Sequence, residues 1–195
     1  MPATTPFRLG FVTGATPDKW ARTWRDRSRD PLDLVPVEQE DQERVVRDGE
    51  VDMVLARLPV DRDGLHCINL YDERVVAVMG HEHVATVVDE VGTDDLADEQ
   101  LVAPHVSGWT PRAPQLDWPA MSVREAVETV AAGTGVLLVP MSVARLHQRK
   151  DVTYRPVHDL EGTTVGLVWR TDNEDPRVQT FIGIVRGRTA NSSRG

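Results

Sequence analysis

Residues Val130 to Leu146 read VAAGTGVLLVPMSVARL, and this stretch decides the fold. A helix that ends on Gly133 and Gly135 has the positive-φ freedom a helix exit needs. Val136 to Val139 is a continuous apolar run of strand length, as expected of a strand covered on both faces. Pro140 stops that strand, and Ser142 is placed to cap a helix over Val143 to Arg149. A helix, a glycine pair, a buried strand, a proline and a second helix suit a ligand-binding α/β lobe.

Just upstream, Ser122-Val-Arg-Glu125 matches a capping box, and Val123, Ala126, Val127 and Val130 make one apolar helix face. Downstream, Val152 to Val157 reads as a strand. Thr163 to Arg170 alternates, with Val165, Leu167 and Trp169 on one side. Asp175-Pro176 opens a last helix with Val178, Phe181, Ile182 and Val185 on one face. At the other end of the chain, Phe7 to Val12 alternates as a strand that breaks at Thr13-Gly14-Ala15. Thr16 then reads as an N-cap with Pro17 at the first helical position. Trp20 and Trp24 share a helix face, and one of them is expected in the core. A strand at Leu32 to Val37, a helix at Asp41 to Arg47 and a strand at Val51 to Ala56 complete a β-α-β-α-β order. That order implies a parallel sheet with covering helices. Leu65 to Tyr71 and Glu73 to Met79 are further strands. A capped turn spans Thr93 to Ala97, a strand spans Leu101 to Ala103, and the proline-rich stretch from Pro104 to Pro119 reads as loop.

The chain has 195 residues, enough for a sizeable core in one domain or two small ones. A net charge of −9 argues against direct nucleic-acid binding, which needs a basic footprint. The lone Cys67 excludes an intrachain disulfide and is expected as an inert buried thiol. No apolar run approaches a membrane span, and MPATTPFRLG at residues 1 to 10 lacks the pattern of a secretory signal, so a cytoplasmic location is expected. His81-Glu82-His83 offers two histidines to a metal without an evident third ligand. No nucleophile elbow or complete dinucleotide fingerprint is present. No catalytic residue, metal or cofactor is therefore assigned.

The order of elements resembles the effector-binding domain of LysR-type transcriptional regulators. The likeness is carried by FRLGFVTG at 7 to 14, VVRDGEVDMVLARLP at 45 to 59, LYDERVVAVMGHEH at 70 to 83 and DDLADEQLVAP at 94 to 104. It continues through the Val130 to Leu146 stretch and ends in VGLVWR at 165 to 170 and the closing helix. The resemblance implies an α/β, type 2 periplasmic-binding-protein-like fold: two α/β lobes joined by two crossover segments, with a small-molecule cleft between them. On that analogy residues 7–80 plus 163–187 form lobe I, 81–162 form lobe II and 188–195 are a disordered tail. Lobe II is shortened, with a proline-rich loop where the family places a further helix and strand. The family's helix-turn-helix has no counterpart here, as in a free-standing sensor or in a piece of a longer regulator.

The resemblance places the effector against the loop after the first strand, Thr13, Gly14, Ala15 and Thr16. The following helix N-terminus attracts a carboxylate there. Plain capping is the alternative reading. Arg57 ends the third strand, where a guanidinium can pair a carboxylate bidentately or serve a structural ion pair. Leu58 and Pro59 shape the site beside it. Pro104, His105 and Ser122 are the lobe II candidates, with solvated-loop and cap roles as alternatives. Trp109 and Trp118 either floor the cleft or pack. The implied partners are a small effector, in all expectation a carboxylate, and a second copy or a regulator. A protein-interaction module with a degenerate pocket is the alternative function.

Overall fold

A computed structural model of the chain describes residues 5–103 and 108–187. In chain order the elements are β1 (Phe7–Val12), α1 (Asp18–Arg27), β2 (Leu32–Val37), α2 (Gln42–Arg47), β3 (Met53–Arg57), β4 (Leu65–Glu73), β5 (Val75–Gly80), α3 (Val123–Ala131), β6 (Leu137–Pro140), α4 (Met141–Leu146), β7 (Val152–Pro156), β8 (Thr163–Arg170) and α5 (Pro176–Val185). They fall into two units, residues Met1–Tyr71 with Thr164–Gly195, and Asp72–Thr163. The first passage between units comes before β5, not after Gly80 as the sequence reading placed it. The reason is pairing: β5 takes both its neighbours, β6 and β7, from the second unit. Residues 188–195, read as a tail, lie outside the described residues.

The first unit holds a five-stranded sheet ordered β2-β1-β3-β8-β4. β1 is parallel to β2 and β3, as the β-α-β-α-β order requires, and β8 returns antiparallel to β3. Strand alternation divides the apolar residues between two layers. Phe7, Leu9, Met53, Leu55, Val165, Leu167 and Trp169 face α1 and α5, while Val54, Ala56 and Val168 face the valines of α2. At the centre of the first layer Phe7 stacks on Trp24 at 5.1 Å, and Phe181 closes on both rings at 6.0 and 5.8 Å. Trp20 and Trp24 are both buried, where the sequence reading expected one. The lobe is deep enough for two because α5 covers the Trp24 ring and the indole Nε1 donates to the Asp30 carbonyl (2.8 Å). Cys67 is only half-buried. Its thiol is nevertheless pushed up from its ordinary pKa by desolvation.

The second unit holds a three-stranded antiparallel sheet ordered β6-β5-β7. Leu137 and Val139 pack with α3 and α4, while Val136 and Leu138 face Val91, Leu96 and Leu101, so the strand read from the apolar run is indeed covered on both faces. Val136 itself makes only an isolated bridge to Leu101, and Leu101 to Ala103 forms no longer strand. Thr93 to Ala97 contains a 3-10 turn, Asp94–Leu96. α4 starts at Met141 rather than Val143, and Ser142 does not cap it. Pro140 sits at the N-cap in extended conformation, and the Met141 N–H already bonds the Arg74 carbonyl at 3.0 Å. Residues 108–119 form neither helix nor strand, as read from their prolines, while Trp109 and Trp118 pack against the two apolar layers of this unit.

The glycine pair is unequal. Both adopt positive φ, 88° at Gly133 and 64° at Gly135. A Cβ at Gly133 meets open space, whereas one at Gly135 would overlap the Gln100 carbonyl oxygen. Gly133→Ala is expected to cost about 1 kcal/mol through its left-handed backbone alone. Gly135→Ala should cost at least about 2 kcal/mol, because a backbone segment must shift as well. Urea melts of the two variants measure the difference; equal midpoints would contradict it.

Candidate functional site

The C-terminal ends of parallel strands are where an α/β sheet offers ligand contacts, because the chain turns there into helix N-termini. In the first unit β1 and β3 are in register Leu9↔Met53, Gly10↔Val54 and Phe11↔Leu55. Carried two residues further, that offset sets Thr13 level with Arg57. Arg57 Nη1 donates to the Thr13 carbonyl at 2.8 Å, across the same separation of 44 residues. Gly14, at φ 88°, turns the loop, and the Ala15 N–H closes it on the Val12 carbonyl at 2.9 Å. Thr13 and Gly14 are half-buried, Ala15 is buried and Thr16 is exposed. The N-cap position belongs to Pro17, one residue beyond Thr16, and α1 begins at Asp18. No side-chain hydrogen bond caps this helix start, so Thr16 does not fill the capping role the sequence assigned to it. Asp18 sits in the first turn and already answers the helix dipole.

Arg57 is only 3% exposed. Its guanidinium is turned onto the loop carbonyl and is not held out to solvent for a bidentate grip. A charge-assisted bond of this kind contributes roughly 1.5–3 kcal/mol. Its backbone is held as firmly. Gln42, at the start of α2 and 7% exposed, spans the end of β3 with its amide. Gln42 Nε2 donates to the Arg57 carbonyl (2.8 Å), and its Oε1 accepts from the Arg57 N–H (2.9 Å). The side chain thus continues the sheet ladder by one peptide equivalent. The sequence reading missed Gln42, since one polar residue in an amphipathic turn carries no distinguishing signal. Leu58 extends the pairing with β8 through its N–H on the Thr164 carbonyl (2.8 Å), and exposed Pro59 ends it.

The second-unit candidates are placed differently. Pro104 and His105 lie outside the described residues. Ser122 is exposed and bound up in the capping box: its Oγ accepts from the Glu125 N–H (3.3 Å) and donates to Glu125 Oε2 (2.8 Å), and its own N–H meets the same oxygen (2.7 Å). Those two donors hold the Glu125 carboxyl below its usual range. His83 Nδ1 accepts from the Ala85 N–H of its own turn at 3.1 Å, and its Nε2 lies 3.0 Å from Oε1 of the sequence-distant Glu99, so both ring nitrogens are engaged.

The family profile for the LysR substrate binding domain matches residues 29–190. The chain belongs to that family. It is 28% identical over 201 residues to the Hca operon transcriptional activator HcaR of Escherichia coli strain K12, spanning 93% of this chain and 67% of HcaR. It is 25% identical over 194 residues to the HTH-type transcriptional regulator AlsR of Bacillus subtilis strain 168, spanning 90% of this chain and 64% of AlsR. The chain therefore spans about two thirds of the length of these relatives. Among solved structures, full-length BenM superposes with a TM-score of 0.76 at 20% identity, covering 96% of this chain and 68% of BenM. The reduced OxyR regulatory domain of Pseudomonas aeruginosa gives 0.73 at 19%, covering 93% of this chain and 96% of that domain. These likenesses bear out the periplasmic-binding-protein-like α/β fold implied by the resemblance. Among the described residues no helix is long and apolar enough to cross a membrane.

Gln42→Met keeps the volume and removes both amide contacts, leaving a buried N–H and a buried carbonyl of Arg57 without that partner. At roughly 1–3 kcal/mol for each such group, the substitution should cost about 2–6 kcal/mol. Urea unfolding measures it, and a change below about 0.5 kcal/mol, the size of an ordinary surface substitution, would show that the clamp is not stabilising.

Proposed function

We propose that this LysR-type domain binds a small carboxylic acid at the C-terminal edge of its first unit, on the loop from Thr13 to Thr16. The Arg57–Thr13 contact carries the reading. It fixes a buried positive charge behind a loop on which Thr16 is exposed and Thr13 and Gly14 are half-buried. A carboxylate on that loop gains hydrogen bonds from hydroxyls and backbone N–H groups, and its charge is felt by a guanidinium sheltered from water. Arg57 acts here as a positioning residue that holds Thr13, with Gln42 holding Arg57 in turn.

A ligand changes output only through different affinities for two states of the protein. An order–disorder or shape change of the β1–α1 loop supplies such a difference, because acid binding and the Arg57 bond draw on the same four residues. The regulated output is transcription, as the names of the relatives imply for those proteins. With a net charge of −9, the chain exerts that output through a DNA-reading segment, a partner regulator or a second copy, not through its own surface.

A thermal-shift panel of aliphatic and aromatic monocarboxylates should yield acids that raise the melting temperature in a saturable manner. For such an acid, nuclear magnetic resonance titration should move the amides of Gly14 to Lys19. Arg57→Lys, which keeps the charge and loses the planar fork, should weaken binding by about tenfold or more. Saturable binding that leaves those amides unmoved, or equal affinity in Arg57→Lys, would contradict the assignment.

A further inference from the structure

The second unit contains a pocket for which the family resemblance has no use. It encloses about 430 Å³ beside α4, the turn that follows it and the edge strand β7. Its floor is carbon: Val78 from β5, Ala144 from α4 and Val152 from β7, all buried. The half-buried Tyr154 ring forms one wall. The rim is of the opposite character, with His81, Gln148 and Lys150 exposed around the opening.

Lys150 gives this rim one cation that no carboxylate among the described residues answers. The chain carries −9 overall, yet from Thr129 to Lys150 it has no carboxylate and holds Arg145, Arg149 and Lys150. Arg149 grips Asp151 through two bonds of 2.9 Å, and Glu128, 3.7 Å from Arg149, also lies 3.5 Å from Arg124, so the two acids beside the pocket are each paired with an arginine. Arg145 Nε reaches the Tyr154 hydroxyl at 3.4 Å, holding the phenol at the pocket wall. Among the described residues no acidic side chain pairs with Arg145 or Lys150.

The geometry points to a second binding site, for a small organic anion with an apolar body, in this pocket between α4 and β7. The apolar part covers Val78, Ala144, Val152 and the Tyr154 ring, which gains from removing that carbon surface from water. The anionic group meets Lys150 at the rim, with Gln148, the Tyr154 hydroxyl and His81 as hydrogen-bond partners. An inorganic anion has nothing to place on the floor, and a metal ion meets the Lys150 ammonium with both nearby carboxylates already paired. This arrangement does not depend on the reading of the β1–α1 loop, since every residue it uses belongs to the other unit.

The test is titration of the ¹⁵N-labelled protein with hexanoate, phenylacetate and inorganic phosphate, followed at single amides. At least one of the two organic acids should give saturable shifts of the amides from Gln148 to Tyr154, binding about tenfold or more tightly than phosphate. Lys150→Gln, at an exposed position, should fold normally and weaken that binding by about tenfold. No saturable shift at these residues with either acid overturns the site. Equal binding of phosphate overturns the role of the apolar floor, and unchanged affinity in Lys150→Gln overturns the role of the rim charge. Shifts at Gly14 to Lys19 report on the other site, so failure of one assignment is distinguishable from failure of the other.

Discussion

The register of β1 against β3 is the constraint on which the first unit depends. Gly10 lies where the strands approach closely: a Cβ there would come within 3.2–3.3 Å of the methyls of Val37, Val54 and Val51, which would have to give by a few tenths of an ångström. A glycine suits that close approach, where Gly10 pairs with Val54. A slip of one residue would turn Phe7 and Leu9 away from Trp24 and expose them. The same register decides the site. It puts Thr13 opposite Arg57, lets the guanidinium close on the loop, and leaves the end of β3 to be clamped by Gln42.

A core formed from distant parts of the chain sustains this register. β8 enters the sheet between β3 and β4, and α5 follows it to lay Phe181 against Phe7 and Trp24. Aromatic pairs of this geometry contribute roughly 0.5–1.5 kcal/mol each beyond their burial. The price is sequence separation, because the first unit is complete only when the polypeptide has passed through the second and come back at Thr164. At the start of α5, Arg177 grips Asp175 and also donates to the Thr5 carbonyl (2.7 Å), which draws the two ends of that unit together.

Much of this architecture is legible in the residues because local chemistry and tertiary role agree. The Ser122–Glu125 capping box, the glycine exit at 133 and 135, the two-faced burial around Leu138 and the Asp175 N-cap all follow from short-range patterns. Where pairing with remote strands decides, sequence pattern is silent. Nothing local tells that Val75 to Gly80 belongs with β6 and β7, since the run is equally apolar in either sheet. The helix start at Met141 depends on the Arg74 carbonyl, and the cap position of Pro17 displaces Thr16 by one residue. The candidate site was half legible. The threonine loop and Arg57 stand out by type and position, but the inward turn of the guanidinium and the clamp by Gln42 are products of a contact across the end of the sheet. No local pattern marks the pocket beside α4, because its lining is brought together from β5, α4 and β7.

The decisive measurement is a crystal structure of the protein with its tightest-binding carboxylic acid. Carboxylate density is expected on the Thr13 to Thr16 loop, within hydrogen-bond distance of a threonine hydroxyl or a loop N–H, with the Arg57 bond to the Thr13 carbonyl intact. An acid bound with Arg57 swung away from Thr13, or bound with that loop empty, would contradict it.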